Sequence, residues 1–402
     1  MLPQQIPFAP ASDHESFEQL PAQPAVFLLR AGGQADPYVS KTSNLKRRLE
    51  RLLGPVDPGS KRLNLREQTS SIEYALTGSD FESQIVLYRS LRTAFPESYR
   101  ERLKLRFPTL VKFNLENAYP RAHLTRRIAR LKGRNLYYGP FATRAAAEKF
   151  LNDSLDLFKM RRCDFDLNPD PAFPGCVYSE MKMCLAPCFK GCTDEEYARE
   201  VERVQAYFDS GGQSLLRDLE TQRERLAEEL EFEQAAAVHA RLDKVHAALQ
   251  QQPEIVHRID QLHGLVIQPS AEKDSVALFR IRAGCISPPI IFAVNVQSGD
   301  IQAPKHQSME SRVLAALESQ QEEPCRSAAE LNEHLAILKR WYFRSRKTGE
   351  IFFAAAGGEL PMRRVVRGIS RVFKGENPAE DPTETAAREY WLARTREGPP
   401  AS

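Results

Sequence analysis

The 402 residues are 42% hydrophobic, 27% charged and 9% aromatic, close to a globular average, and their number suits roughly two to four domains. The longest apolar runs, at 24–29 and 288–296, are too short to span a membrane. The opening residues lack the basic start and apolar core of a signal peptide, so the expectation is a cytoplasmic protein with no membrane partner. The net charge of +3 hides a sorted distribution: residues 41–66 carry eight Lys/Arg against two acids, 100–134 carry eleven against two, and 194–233 carry thirteen acids against five bases. Such sorting predicts one surface for a polyanion and another for a different partner.

In chain order, residues 1–20 read as a flexible polar lead-in. "AVFLLR" (25–30) and "PYVSK" (37–41), separated by turn chemistry, predict a strand hairpin. "SNLKRRLERLLG" (43–54) predicts a helix capped by Ser43 or Asn44 and stopped at Gly54. A strand over 71–77 precedes a helix over 79–95, whose Ser79 and Glu82 are spaced as a capping box and which Pro96 closes. Residues 21–100 thus form one small α/β unit.

The basic stretch contains strand-like pieces at 109–115 and 121–128. A turn is expected at Gly139-Pro140 before a helix reaching 158. After the cysteine segment, Thr193 and Glu196 form a second capping box on a helix ended at Gly211-Gly212, completing a unit over 101–212. Residues 213–252 predict an antiparallel helical hairpin. Residues 255–375 mix strands with a helix at 329–346, and 376–402 read as a loose tail. The fold class is a multidomain α/β (α+β) protein.

Five of the seven cysteines fall between 163 and 192, a clustering that suits metal more than disulfides. Cys176, Cys184 and Cys188 are spaced C-x7-C-x3-C, and twelve residues separate Cys163 from Cys176. Four thiolates suit tetrahedral zinc or a four-iron cluster, and the loose spacing tilts toward iron–sulfur. Cys192 is a spare ligand. Cys285 and Cys325 read as isolated buried thiols.

The segment "RRCDFDLNPDPAFPGCVYSEMKMCLAPCFKGCTDEEYAREV" (161–201) resembles the cysteine segment of the UvrC family, the incision subunit of bacterial nucleotide excision repair. "YPRAHLTRRI" (119–128) and "YYGPFATRAAAEKFLNDSLDLFKMRRC" (137–163) are similar to that family in the same order. The resemblance implies a four-iron–four-sulfur (4Fe–4S) cluster on Cys163, Cys176, Cys184 and Cys188. "LAEELEFEQAAAVHARLDKV" (226–245) resembles the UVR motif, which implies docking on UvrB, acting with UvrA, through Leu230, Glu231, Phe232, Glu233 and Ala236. UVR-like hairpins also resemble segments of chaperone and protease regulators, so a zinc-bearing adaptor is a further reading.

The N-terminal unit resembles a GIY-YIG nuclease domain that departs from the pattern where the chemistry lies. Tyr38, Lys41 and Arg48 match its catalytic positions, but Phe27 replaces a tyrosine, Ser40 a glycine, and Leu87 the metal-binding glutamate, with Arg89 beside it. Leucine offers no oxygen to a magnesium ion, and the lost Phe27 hydroxyl removes a group that would orient the attacking water. The expectation is a degenerate site that binds DNA phosphates through Lys41, Lys46, Arg47, Arg48, Arg51, Arg126 and Arg127. Its alternative is a magnesium-dependent nuclease with a displaced carboxylate, Glu82 or Asp80. Glu82 lies five residues from Leu87, about 140° around a helix. The RNase H-like and helix-hairpin-helix domains with which UvrC proteins continue have no match here. The basic, aromatic stretches 338–353 and 362–375 read either as nucleic-acid contacts or, for the second, as an amphipathic helix packed on the domain.

Overall fold

The computed structural model describes residues 2–32, 35–56, 59–250, 252–295, 308–320, 324–355 and 357–376. Apart from Glu376, the expected tail lies outside them.

The first sheet has the order β1-β4-β2-β3, with β1 Gln4–Pro7, β2 Ala25–Ala31, β3 Tyr38–Thr42 and β4 Thr69–Leu76. The N-terminus is therefore not a loose lead-in. Ile6 and Phe8 point the same way in an extended segment, and both are buried as β1 pairs antiparallel to β4. Helices α1 Asp13–Glu18 and α2 Leu45–Leu53 complete this unit's own core, where Leu45 and Leu49 pack with Phe27 and Leu29. Asn44 caps α2 by accepting the Arg47 N–H, and Gly54 ends it.

Helix α3, Asp80–Ala94, begins as predicted at Ser79, which accepts the Glu82 N–H. The Glu82 carboxylate does not return to Ser79 but accepts from the Gly78 N–H at 2.7 Å. A short α4, Tyr99–Leu103, leads to the second sheet, order β6-β5-β7-β8: β5 Thr109–Phe113, β6 Ala122–Thr125, β7 Leu136–Phe141 and β8 His257–Arg258. Gly139-Pro140, expected to turn, lies inside β7 and joins through a cis peptide. Helix α5, Arg144–Leu155, packs on this sheet, and a four-residue α6, Val177–Glu180, lies within the cysteine segment.

Thr193 and Glu196 form the predicted capping box on α7, Asp194–Asp209. The chain reverses at Gly211 and Gly212, with φ of 57° and 86°. A side chain at Gly212 would collide with Leu249 as well as strain the backbone. The expected hairpin follows as α8, Gln213–Glu228, and α9, Phe232–Gln250.

The third sheet contains β9 Gly264–Pro269, β10 Ser275–Arg282, β11 Cys285–Ile286, β12 Ile290–Ala293 and β13 Glu350–Phe353. Helices α10 Met309–Ser319 and α12 Met362–Lys374 cover one side of it. Val365, Ile369 and Val372 are buried there, so the 362–375 stretch is an amphipathic helix packed on its sheet.

The remaining helix, α11 Ala328–Tyr342, joins this lobe to the first unit. Phe81 of α3 packs at 5.1 Å from both Phe279 and Trp341. The carboxylate of Glu333, 1% exposed, accepts from Tyr88 Oη, Tyr99 Oη and Arg100 Nε at 2.7–2.9 Å. Arg92 pairs with Glu330 across the same seam.

Candidate nucleic-acid interface and cysteine centre

Strand β3 is the edge of its sheet, and the pleat sorts its side chains. Tyr38 stands opposite Leu29 and shares the α2 face, where its ring lies 6.1 Å from that of the fully buried Phe27. Arg48 of α2 donates to Tyr38 Oη at 3.3 Å. Lys41 stands opposite Val26 and turns to α3, donating to Asp80 Oδ1 at 2.5 Å and to Gln84 Oε1 at 3.4 Å. The three residues matching catalytic positions therefore divide between the two sides of the edge strand.

Neither candidate stand-in carboxylate lies open beside Arg48. Asp80 accepts from Lys41 and also from Arg344 of the third lobe. Burial alone would raise the Asp80 pKa, but the two cations outweigh it and hold it below the usual carboxylate value. Glu82 is 5% exposed and turned to Gly78. Burial pushes its pKa up to about 7, against the Gly78 N–H and with a contribution from Glu272. Leu87 packs into the main core, as does Val39 of β3. Arg344 was not legible as part of this site, because nothing local in "YFRSRK" marks its distant partner. Of the expected phosphate contacts, Arg47, Arg51, Arg126 and Arg127 are exposed, while Lys41, Lys46 and Arg48 are half-buried.

Cys163, Cys176, Cys184 and Cys188 line one small enclosed space, as Arg161, Phe165, Leu167 and Pro187 do. Cys192 is outside that lining. Burial pushes the Cys184 thiol up to about 11, reinforced by the neighbouring Cys163, Cys188 and Cys176. The residue beside them is unusual. Arg161 is 1% exposed, and its Nη1 reaches Cys163 Sγ at 3.4 Å and the Phe165 carbonyl at 3.0 Å. Its Nη2 is buried with no partner among the described residues. A buried guanidinium facing sulfur without a carboxylate is costly unless the sulfurs carry negative charge, as metal-bound thiolates do. The donor set therefore fits a thiolate-ligated metal centre.

Cys285 and Cys325 are not isolated thiols. They form a disulfide that ties β11 to the segment before α11, with Cα atoms 5.8 Å apart. With His334 they supply the one group, among the described residues, of three metal-ligating atoms within 4.8 Å of one another. His334 Nδ1, however, already accepts the Ile286 N–H at 3.1 Å.

At the bend of the α8–α9 hairpin, Leu230 has a left-handed φ of 59°, a conformation disfavoured by its β-carbon. It is 70% exposed, and Phe232 is 66% exposed. Glu231, Glu233 and Ala236 are also exposed, so Phe232 does not close the hairpin's own core. No helix among the described residues is long and apolar enough to cross a membrane.

Residues 109–207 match the family model for the UvrC/Cho excinuclease middle domain. The chain is 28% identical over 273 residues to the UvrABC system protein C of Methanothermobacter thermautotrophicus, covering 67% of this chain and 45% of that protein. For the protein of the same name from Chlamydia pneumoniae the identity is 26% over 276 residues, covering 67% and 45%. For that from Rickettsia canadensis it is 30% over 207 residues, covering 51% and 32%. The chain thus spans less than half the length of these relatives, and no solved structure matches it. The domain model falls on the segment that holds the basic strands and the cysteines described above: the chain carries a middle domain of the UvrC/Cho excinuclease type and is similar to UvrABC system protein C over about two thirds of its length.

Proposed function

We propose that this protein serves nucleotide excision repair as a DNA-binding, UvrB-docking member whose GIY-YIG-like site no longer cuts. The observation that carries the reading is the state of the carboxylates around the edge strand. Asp80 is neutralised by Lys41 and Arg344, Glu82 is buried against Gly78, and position 87 is a hydrocarbon. A single-metal phosphodiester hydrolysis needs an anchoring carboxylate oxygen, and none of these three positions offers a free one. Arg48 and the exposed arginines retain what phosphate contact requires: fixed positive charge, read without base specificity and weakened by salt.

Two further parts support the reading. Phe232 and Leu230 form an apolar tip framed by Glu231 and Glu233, suited to a partner surface with a pocket and basic rim. In the other part, Cys163, Cys176, Cys184 and Cys188 would hold a 4Fe–4S cluster, with Arg161 balancing its negative charge. The loose C-x7-C-x3-C spacing of Cys176, Cys184 and Cys188 supports a four-iron cluster over zinc. When bound, the cluster ties four loop positions together and supplies a centre able to take up an electron.

The deciding experiment presents damaged duplex DNA, magnesium, UvrA and UvrB to the full chain. The expected result is DNA binding without nicking. Nicking that disappears on Arg48→Ala and Glu82→Gln would replace this reading with that of an active endonuclease. Zinc in place of iron and sulfide in anaerobically purified protein, with no DNA binding, would favour the adaptor.

A further inference from the structure

Cys163, Cys176, Cys184, Cys188 and Cys192 are thiols, whereas Cys285 and Cys325 are joined. Surroundings that keep five thiols reduced also act on the joined pair, so that bond competes with any thiol able to reach it. The fold leaves a way in. Both residues line a cleft of about 500 Å³ between the 130–137 segment and the third sheet, and Cys325 is half-buried between the exposed Pro324 and Arg326. Cys285 on β11 is 6% exposed, so an incoming thiolate meets the Cys325 sulfur first.

The bond anchors the start of α11. Next to Cys325, the Arg326 N–H donates to Glu330 Oε2 at 2.8 Å, and Ser327 caps the helix by accepting the Glu330 N–H at 3.2 Å. Glu330 in turn pairs with Arg92 of α3 across the seam to the first unit. The first turn of α11 thus lies between the disulfide and the Arg92 contact. Further along, Asn332 binds Ile128, and Glu333 accepts from Tyr88, Tyr99 and Arg100, all without help from the sulfurs. A released Cys325 thiol also meets an acceptor. His334 Nδ1 lies 3.6 Å from its sulfur and, since it accepts the Ile286 N–H, presents a lone pair rather than a proton.

We infer that Cys285–Cys325 is a thiol–disulfide exchange site, opened by a small dithiol, whose state sets how firmly the first turn of α11 holds α3. In the first step a sulfur–sulfur bond forms between the dithiol and Cys325 as the bond to Cys285 breaks. The electron pair leaves on the Cys285 sulfur, which takes up a proton. The second thiolate of the dithiol then displaces Cys325, which is protonated in turn. The dithiol ends as a cyclic disulfide, and the protein has gained two electrons and two protons.

The test uses the full folded chain without denaturant. Dithiothreitol is added, thiols are trapped with iodoacetamide at intervals, and the peptides bearing Cys285 and Cys325 are weighed. The expected result is opening at a rate proportional to dithiothreitol concentration, with the circular dichroism unchanged, and closure again with glutathione disulfide. Cys285→Ser, which lacks the resolving thiol, should keep a glutathione adduct on Cys325. On reduction of the wild type, hydrogen exchange at amides 326–331 should quicken several-fold while amides 333–341 stay unchanged. Cys285→Ser/Cys325→Ser should show the faster exchange with or without dithiothreitol. A pair that opens only in denaturant, or at a rate independent of dithiothreitol concentration, is an inert structural bridge and overturns the inference. Thiols that glutathione disulfide cannot close overturn it too. Equal exchange at 326–331 in both states overturns the link to α11.

Discussion

Arg344, just beyond the C-terminal end of α11, donates to the carboxylate of Asp80, the first residue of α3. Both side chains are 41% exposed, so this pair contributes no more than about 1 kcal/mol. Glu333, one face further along the seam, is buried and accepts from three donors. Arg344→Gln should therefore lower stability by less than about 1 kcal/mol and Glu333→Ala by about 3–5 kcal/mol. Chemical denaturation of the two variants side by side checks the contrast.

Glu82 gives the protein a pH signature. Its folded pKa of about 7 lies above the ordinary 4.5, so the folded state holds a proton that the unfolded chain has released between those values. The stability it contributes is fully present below about pH 4.5 and falls as pH rises through 7. The fall amounts to about 3 kcal/mol if the full shift is realised. Glu82→Gln, which keeps an acceptor for the Gly78 N–H, should stabilise the protein at pH 8 and change little at pH 4.5. Equal effects at both pH values would count against a protonated Glu82.

At the hairpin bend, Phe232→Ala should weaken binding to UvrB by about 2 kcal/mol, roughly 30-fold, if Phe232 is a binding anchor. Since Phe232 is 66% exposed, folding stability should move by no more than about 0.5 kcal/mol. Calorimetric titration and thermal melts read the two quantities separately.

Serine at Cys163, Cys176, Cys184 or Cys188 should remove iron and acid-labile sulfide from protein purified without oxygen. Cys192→Ser should leave both in place, because Cys192 lies outside the space the other four enclose. Loss of iron from the Cys192 variant alone would mean that the ligand set is misassigned.

Arg161→Gln should make a loaded cluster harder to reduce, since it deletes the positive charge that touches Cys163 Sγ. Arg161→Lys should shift the potential less. A redox titration separates this electrostatic role from a merely structural one, which would leave the potential unmoved.

Local signals made much of this legible in the sequence. Asn44, Ser79, Thr193 and the Gly211-Gly212 pair mark helix boundaries through hydrogen bonds made within a few residues, and each is found where its chemistry placed it. Errors came where a distant partner decides. Ile6 and Phe8 form a strand only because β4 offers an edge. Gly139-Pro140 has turn chemistry but lies between β5 and β8 in a sheet. Cys285 and Cys325, 40 positions apart, meet through β11 and the approach to α11. Tyr38, Lys41 and Arg48 were singled out by their match to motif positions, but only the pairing of β2 with β3 shows that Lys41 faces away from the other two.

The contact of Phe81 with Phe279 and Trp341 has a mechanical corollary. One continuous apolar cluster runs from α3 through β5, α7 and the long hairpin to β10 and α11. Peeling the first unit away would open that cluster to water, so the parts should melt together in a single cooperative transition. A strand of DNA laid across them would meet a stiff composite platform rather than tethered beads, and its own bending would have to supply the fit.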